Sequence, residues 1–538
     1  MNLAELIRAF VPAPVPMLSE GCSADPLGCA ICAISADSRL VRPGTLFIAL
    51  KGAKSDGRAF ITHAIASGAA AVLVEEVSSV PVMSPVPFIV YPDIRKDLWK
   101  LAVRFYGDPS RDLIVIGVTG TNGKTSTTYF MKAILEAAGL PTGLIGTIQH
   151  IIGEERETAA NTTPDALKLQ ELLARMRGAG MQAVVMEVSS HGLALGRTEG
   201  IHFDGGVFTN ITEDHLDFHN TMEEYVAAKL IFVDQLVRSA KRDKWICCNR
   251  DIQYGDVVKK KIAESGLPAW YFGVGHGAVS AGHGAGCGYP APPRMAESAG
   301  HGAGCEASGA GEIPPKYVLA LDEVANIHET SYTLSAEGIG ETRVRLAARG
   351  YFSIYNSLAA SSSALARGIA PDIMARGMAD VRIPGRFELV PNTRGFLVAV
   401  DYAHTDDALV NLISSARLLE PKRIITVFGC GGDRDRKKRP LMARAASSLS
   451  DIVVVTSDNP RTENPDAIIE DIMPGITDNA RARVCADRAE AIRLAIREAR
   501  EGDIVLIAGK GHEDYQIFAD RTIHFDDREA AAEALSAL

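Results

Sequence analysis

The hydrophobic pattern of the chain alternates short apolar runs with longer stretches whose apolar residues recur every three to four positions. Residues 113–118 are apolar and end in a polar turn, the signature of a strand covered on both faces, as in a parallel sheet. Met131, Ile134, Leu135 and Ala138 follow at helical spacing, and Gly139 and Pro141 stop that helix. Upstream, LFIAL at 46–50 and AAVLVEE at 70–76 predict strands on either side of an alanine-rich helix. Downstream, MQAVVMEVSSHG predicts a strand that runs up to Glu187, and YNSLAASSSALARG predicts a helix. After IPGRFELV at 383–390, the runs RIITVFGCGG, DIVVVTSDNPR and DIVLIAGKGHE each pass from an apolar strand into a turn containing Gly or Pro, with helix-patterned stretches between them. This alternation predicts an α/β fold whose ligands bind at the carboxyl ends of the strands.

The turn after residues 113–118 carries chemistry as well as geometry. Gly120 and Gly123 let the backbone fold so that successive amides point at one anion, Lys124 reaches the outer phosphates as a point charge, and Thr125 is placed to hold a magnesium ion. A strict Walker pattern would put glycine where this chain has Val118; the nearest glycines are Gly117 and Gly120. A glycine turn that merely joins a strand to a helix would not need the Gly-Lys-Thr ending in this context. Glu187 follows an apolar run directly, where P-loop proteins place the acidic residue that holds the metal. His215, Asp217 and His219 fall within five residues after another strand, a density that points to metal or phosphate chemistry, the alternative being a polar loop.

At 538 residues the chain exceeds what one core organises. The pattern divides it into an N-terminal domain over 1–110, a central P-loop ATPase-like domain over 111–382 with a mainly parallel sheet, and a C-terminal Rossmann-like α/β domain over 383–538. A composition 47% hydrophobic and 23% charged excludes wholesale disorder, and a net charge of -10 argues against a general nucleic-acid binder. From 271 to 316 the composition turns to Gly, Ala, Ser and Pro, and SAGHGAGC occurs at 280–287 and again at 298–305. Although each copy sets a His four residues before a Cys, the composition predicts a flexible surface insertion dispensable for catalysis. No apolar run is long enough to span a membrane and the N-terminus lacks a basic-then-apolar leader, which predicts a soluble cytoplasmic protein with small-molecule partners. Nine irregularly spaced cysteines predict reduced thiols, and the CxxC of Cys29 and Cys32 has no second pair to complete a zinc site.

Taken in order, these motifs resemble the Mur ligase family, the ATP-dependent amide-forming enzymes that build the peptide of the bacterial cell wall. TGTNGKT at 119–125 is similar to the family's own phosphate loop, which explains the displaced glycine. Ser38 and Arg39 after Asp37, PGTLFIALKG at 43–52, NTTP at 161–164, EVSSH at 187–191, DHLD at 214–217 and the AAK that ends at Lys229 follow in the family's order. Within the family, GCGGDRDRKKRP at 429–440, DNPRTENP at 458–465 and GKGHEDYQ at 509–516 resemble the members that add meso-2,6-diaminopimelate to the D-glutamyl γ-carboxylate of UDP-N-acetylmuramoyl-L-alanyl-D-glutamate. Lysine-adding relatives usually lack the arginine of DNPR.

The resemblance implies ATP contacts at Thr119, Gly120, Thr121, Asn122, Gly123, Lys124, Thr125 and Ser126, with Asn356 toward the adenine and Arg386 and Asp401 on the nucleotide side of a hinge. It implies two magnesium ions near Thr125, Glu187 and His215, and a carbamylated Lys229; Lys124, His215 and Lys229 would carry the catalysis. Ser38, Asn161, Thr162, Thr163, Ser189 and Arg197 would hold the dipeptide-sugar nucleotide, and Arg434, Asp458, Asn459, Pro460, Arg461, Gly509 and Glu513 the diamino acid. An arginine grips the extra carboxylate of diaminopimelate through two parallel hydrogen bonds, and Glu513 would pair with the distal ammonium. In the N-terminal domain, Arg39, Lys51 and Arg58 are further possible anion donors, and most of the basic cluster at 436–439 reads as a solvated charge run. Ser353, Asp406, Arg58 and Leu195 depart from the residues usual in the family at their positions. The expected protein is a monomer. The rival readings are the same ligase acting on L-lysine or L-ornithine, another amide-forming member of the superfamily, and a non-ligase ATPase module, which would leave the histidine and arginine turns without a role.

Overall fold

The computed structural model describes every residue except 18–26, 53–55, 276–313, 327 and 478–480, so the duplicated SAGHGAGC stretch lies outside the described residues. The chain forms two compact units: residues 1–119, 140–206 and 215–244 make one, and 120–139, 207–214 and 245–538 the other.

The first unit begins with a five-stranded sheet in the order Val15–Met17, Phe88–Val90, Ala69–Val74, Thr45–Ala49, Ala33–Ser35, parallel except at the first pair. Alternation along the strands divides its faces. Leu46, Ile48, Leu73 and Ile89 pack on Leu98 and Leu101 of the helix Ile94–Tyr106, while Phe47, Val72, Val74 and Phe88 pack on Ile61 and Ala64 of the helix Ile61–Ala66. The predicted strands at 46–50 and 70–76 are both present, each shifted by about one residue. The same unit holds Ile114–Thr119, Ala183–Glu187 and Thr142–Ile145 as parallel neighbours, continued by the antiparallel strands Gln149–Ile152 and Glu155–Thr158. Both outer helices open on side-chain caps: Asp165 accepts from the Leu167 and Lys168 amides before Ala166–Gly178, and Thr221 from the Glu224 amide before Met222–Arg238.

In the second unit, Trp245–Asn249, Ala269–Val274 and Lys316–Ala325 are parallel, and Thr330–Ala336 and Gly340–Leu346 complete the run antiparallel. Regular structure therefore enters both margins of the Gly- and Ala-rich stretch. The strand pairing of Tyr271 to Tyr317 and of Phe272 to Val318 narrows the compositional insertion from the expected 271–316. The helix Tyr351–Ala366 is buried along most of its length, and the small residues Ala359, Ala360, Ser361 and Ser362 suit close packing on its neighbours.

The last sheet runs Glu388–Leu389, Leu397–Asp401, Ile504–Ala508, Ile424–Phe428, Ile452–Val455, Arg481–Val484, parallel apart from the first pair. Val398, Val427, Val454 and Ile507 face Ile492 and Ile496 on one side, and Phe428, Val453, Val455 and Leu506 face Leu412, Ala443 and Ile468 on the other. This two-sided burial is why these strands are continuous apolar runs in sequence. Their polar turns all leave from the carboxyl end, where open parallel sheets bind ligands. No helix among the described residues is long and apolar enough to cross a membrane.

Candidate active site

The phosphate loop is held from below by its neighbour strand's exit turn. The amides of Thr121 and Asn122 donate to the backbone carbonyl and side-chain Oδ1 of Asn210 at 2.9 and 2.8 Å, and the Thr209 hydroxyl donates to the Asn122 carbonyl at 2.6 Å. Lys124 curls over the loop, its ammonium 2.9 Å from the Gly120 carbonyl and 2.7 Å from that of Thr121. Thr125 and Ser126 are buried in the first turn of the helix Lys124–Ala137, whose amide end faces the loop. Gly123 has φ +84°, and a Cβ there would stand 2.2 Å from Oδ1 of Asn356, so the predicted adenine-side asparagine packs directly on the loop. Gly123→Ala is expected to weaken Mg-ATP binding tenfold or more, ~1–3 kcal/mol, in titration calorimetry; an unchanged Kd would remove the loop from the nucleotide site. Asn210 and Thr209 are not among the residues expected from sequence, because their role is to hold a backbone 88 and 87 positions away.

In the first unit, Glu187 ends its strand fully buried, in register with Val118 at the end of the strand that leads into the phosphate loop. The amide and hydroxyl of Thr147 donate to its two carboxylate oxygens at 2.8 and 3.0 Å, which fixes the carboxylate plane. The Thr147 hydroxyl also lies 3.0 Å from the Thr162 hydroxyl, from which it can accept. The expected substrate donors divide here. The Thr163 hydroxyl donates to the Glu187 carbonyl at 2.9 Å and accepts from the Ser189 amide, and the Ser189 hydroxyl caps the short helix Ser190–Ala194. Thr163 and Ser189 thus form the frame of the site. Arg197 donates to the Thr163 carbonyl at 2.8 Å, and burial draws its pKa below the usual arginine range. Asn161 is exposed beside this frame.

Three imidazoles gather beside this frame. His191 lies 4.7 Å from His215 edge to face and 5.5 Å from His219, and His219 lies 5.3 Å from Tyr225. Lys229, one helical turn beyond Tyr225 and 1% exposed, holds its ammonium 4.5 Å over that ring. His191 belongs to the quoted EVSSH stretch but carries no sequence signal of its own; only the fold brings it to His215. No cluster of three His, Cys, Asp or Glu side chains poised as a metal site occurs among the described residues, Cys29 and Cys32 included. A magnesium ion does not require one, since it is bound through one or two carboxylates with water and phosphate oxygens. Glu187, with its plane fixed, fits that donor chemistry.

In the N-terminal sheet, two of the expected anion donors are already engaged: Arg39 is forked onto Asp37 and Arg58 onto Asp56, in both cases with Nη2 to Oδ2 at 2.6 Å. The Arg58 guanidinium holds the Asp56 carboxyl down at about 2. Ser38 opens the short helical turn that follows Asp37.

The C-terminal turns form one constellation. The Asn459 side chain, 2% exposed, donates to Glu513 at 2.9 Å and accepts from the Ile517 amide at 3.0 Å, which joins DNPR to GKGHE. Lys510, wholly buried, reaches Glu513 at 3.2 Å and also contacts the Asn459 side-chain oxygen and the Tyr515 carbonyl. Arg461 adopts φ +52° and donates to the Gly432 carbonyl at 2.8 Å, so it lies against the GCGGDR turn that carries Arg434. A Cβ on Gly432 would stand 1.9 Å from the Pro460 carbonyl oxygen, so only glycine lets these two turns touch. Within the basic cluster at 436–439, Arg436, Lys437 and Lys438 are exposed, as expected of a solvated charge run, and Arg439 alone departs from it. Arg439 is 1% exposed and ion-paired to Glu463 and Asp471 at 2.7 Å, and its charge holds the Glu463 carboxyl below the usual range. Its helical position turns it inward, where its charge is met by two acids too distant in sequence to be paired by inspection.

Asp401, whose carboxyl burial pushes up, accepts from the Phe387 and Ala403 amides, and Arg386 stacks on Tyr402 at 5.0 Å. The Tyr402 ring also lies 5.0 Å from that of His512, tilted by 38°, and burial and the Arg386 charge push the His512 pKa down to about 4. The unfolded imidazole binds its proton near 6.5, so stability is complete above that pH and falls as pH drops from 6.5 to about 4. The loss is ~2–3 kcal/mol. Thermal melts at about pH 7 and about pH 5 should separate more in the native protein than in His512→Gln; equal separations would exclude this histidine as the cause.

Comparison with known proteins places these features in one family. Three domain families match in chain order: Mur ligase family, catalytic domain over 30–103; Mur ligase middle domain over 118–285; and Mur ligase, glutamate ligase domain over 385–511. The chain is 42% identical to a UDP-N-acetylmuramoyl-L-alanyl-D-glutamate--2,6-diaminopimelate ligase of Solibacter usitatus, over 99% of this chain and 98% of that one. The chain belongs to the Mur ligase family. An enzyme of the same description from Syntrophomonas wolfei is also 42% identical, over 99% of each chain. A solved structure of a ligase so described superimposes with a TM-score of 0.63 at 28% identity, over 100% of this chain and 99% of that one. The fold is therefore the three-domain α/β architecture of the Mur ligases, as the sequence motifs implied.

Proposed function

We propose that this Mur ligase is the ATP-dependent enzyme that adds meso-2,6-diaminopimelate to the D-glutamyl γ-carboxylate of UDP-N-acetylmuramoyl-L-alanyl-D-glutamate. The observation that carries the choice of amino acid is the joining of Arg461 and Asn459 of DNPR with Glu513 of GKGHE and with the GCGGDR turn of Arg434. Arginine rewards a carboxylate with two parallel bonds, and a nearby carboxylate rewards an ammonium, so the constellation suits an amino acid with a zwitterionic far end. The curated relatives of that description support the same reading.

The reaction has two steps. The γ-carboxylate oxygen attacks the γ-phosphorus of ATP, ADP leaves, and an acyl phosphate forms; the amine then attacks the acyl carbon, and phosphate leaves from the tetrahedral intermediate. The first step brings two anions together and the second builds negative charge on the tetrahedral oxygen and the leaving phosphate, so positioning and charge neutralisation are the protein's main contribution. The phosphate loop from Thr119 to Ser126 takes the nucleotide, with Lys124 on its outer phosphates and Asn356 and Arg386 on the adenosine side. Magnesium supplies Lewis-acid neutralisation of the phosphates, with Thr125, Glu187 and His215 as the residues that would hold it. Carbamylation of Lys229 would replace a cation by an anion near that site. Ser38, Asn161, Thr162 and Arg197 take the sugar-nucleotide dipeptide, on the frame made by Thr163 and Ser189. We place the domain limits at 1–110, 111–382 and 383–538, and the protein acts as a cytoplasmic monomer.

Phosphate release measured with UDP-muramoyl dipeptide, ATP and a panel of diaminopimelate, lysine and ornithine tests the reading. Turnover with diaminopimelate should exceed that with lysine by about 10²-fold or more, the difference a site built for a polar group shows toward an analogue without it. Turnover with lysine alone would refute the specificity, and ATP hydrolysis indifferent to the dipeptide would refute the ligase.

A further inference from the structure

Among the described residues, Arg488 and Arg439 are the two largest side chains that the fold buries completely. Arg488 is the first residue of the helix Arg488–Glu498, and its partner Asp527 opens the helix Asp527–Ser536. Both side chains are 0% exposed, and the guanidinium forks onto the carboxylate with Nε to Oδ1 and Nη2 to Oδ2 both at 2.7 Å. The guanidinium also reaches backbone. Nη2 donates to the Ala508 carbonyl at 3.0 Å and Nη1 to the Ser457 carbonyl at 3.3 Å. Ser457 precedes Asp458 of DNPR, and Ala508 precedes Gly509 of GKGHE. The strands that carry these two turns are not neighbours, since Ile424–Phe428 lies between them in the sheet. Their ends are therefore not paired directly by a ladder, and one planar group spans the distance between them.

The turns meet on the far side of that link. A Cβ at Gly509 would stand 2.8 Å from Oδ2 of Asp458 and 3.8 Å from Nη2 of Arg488, so a small displacement of either carbonyl reaches the residues assigned to the amino acid. Stability alone is a poor reason for the pair, because a buried ion pair recovers little more than its desolvation cost and apolar replacements are often neutral. What an apolar pair cannot do is hold two carbonyls at once. We infer that Arg488, oriented by Asp527, is a positioning residue that fixes the spacing of the DNPR and GKGHE turns and thereby sets affinity for the diamino acid. This rests on the proposed assignment of those turns to the amino-acid substrate.

The test is steady-state kinetics of the full-length protein carrying Arg488→Lys, Asp527→Asn, or the apolar pair Arg488→Met with Asp527→Leu. Lysine keeps the charge but offers no planar fork, and the apolar pair keeps the core filled. The KM for diaminopimelate should rise about tenfold or more in each variant, while the KM values for ATP and the dipeptide-sugar nucleotide change less than about twofold. ATP–ADP exchange that depends on the dipeptide but not on the diamino acid should persist, because phosphorylation of the carboxylate precedes entry of the amine. A merely structural role would lower kcat and exchange together and leave the KM values in place, and that outcome overturns the inference. So does an unchanged diaminopimelate KM in a double variant whose melting shows it folded. Native protein that turns over no diamino acid would instead overturn the functional reading, and this inference with it.

Discussion

Replacement of Lys229 by alanine is expected to lower dipeptide-dependent phosphate release by about 10³-fold or more, ~4 kcal/mol of barrier, and added acetate is expected to restore part of it. The side chain is 1% exposed, it lies on a helix whose other buried residues include the packing groups Tyr225, Phe232 and Val233, and its ammonium sits 4.5 Å over the Tyr225 ring beside the imidazoles of His215 and His219. A buried lysine at such a place is more than filler, because shorter apolar residues would pack there without the cost of desolvating an amine. If the group acts as a carbamate, a small carboxylate can enter the space left by alanine and replace its charge, whereas it could not replace a lysine that acts as a cation. Phosphate release at increasing acetate, with chloride as the ionic-strength control, separates the two. Full activity in Lys229→Ala would remove the residue from the mechanism, and loss without rescue would leave the cation reading.

Lys124→Ala should cost a similar factor, about 10³-fold in turnover, but through a different step. The ammonium is aimed along the loop by the Gly120 and Thr121 carbonyls, and neutralisation of the γ-phosphoryl group is needed in both the phosphorylated intermediate and its formation. Dipeptide binding should stay within about twofold of native, since the frame holds itself together through the bonds that Thr163 makes with Glu187, Ser189 and Arg197. Titration calorimetry with the dipeptide-sugar nucleotide and phosphate-release kinetics on the same preparation read the two quantities. Turnover within tenfold of native would contradict the proposed role.

The contrast between these two lysines separates what a local stretch of sequence encodes from what the fold assembles. Lys124 announces itself by local pattern, a strand, two glycines, a lysine and a helix in immediate succession, because all of its geometry is made within a few residues. Lys229 has no such pattern; family resemblance alone marks it, and its neighbourhood of Tyr225, His215 and His219 is made by a turn and two helices meeting. Arg439 shows the limit in the other direction. In sequence it is one of four basic residues in a row with Arg436, Lys437 and Lys438, yet Arg439 is buried on Glu463 and Asp471 while Arg436 stays two-thirds exposed. Helical phase decides which of them faces inward, and the acids that make burial tolerable come from another segment.

By itself the sequence determined the alternation of strands and helices, the place of the phosphate loop and the polar turns that end the last sheet's strands, because each depends on periodicity and turn chemistry over a short span. The tertiary structure alone decided how those turns are held at working distance. Asn210 under the phosphate loop, Thr147 on the Glu187 carboxylate, Lys510 between Asn459 and Glu513, and Arg488 across the Ser457 and Ala508 carbonyls all complete contacts that no local pattern encodes. Each is a polar group whose partners must be complete for burial to be tolerated, and only the packed chain supplies those partners.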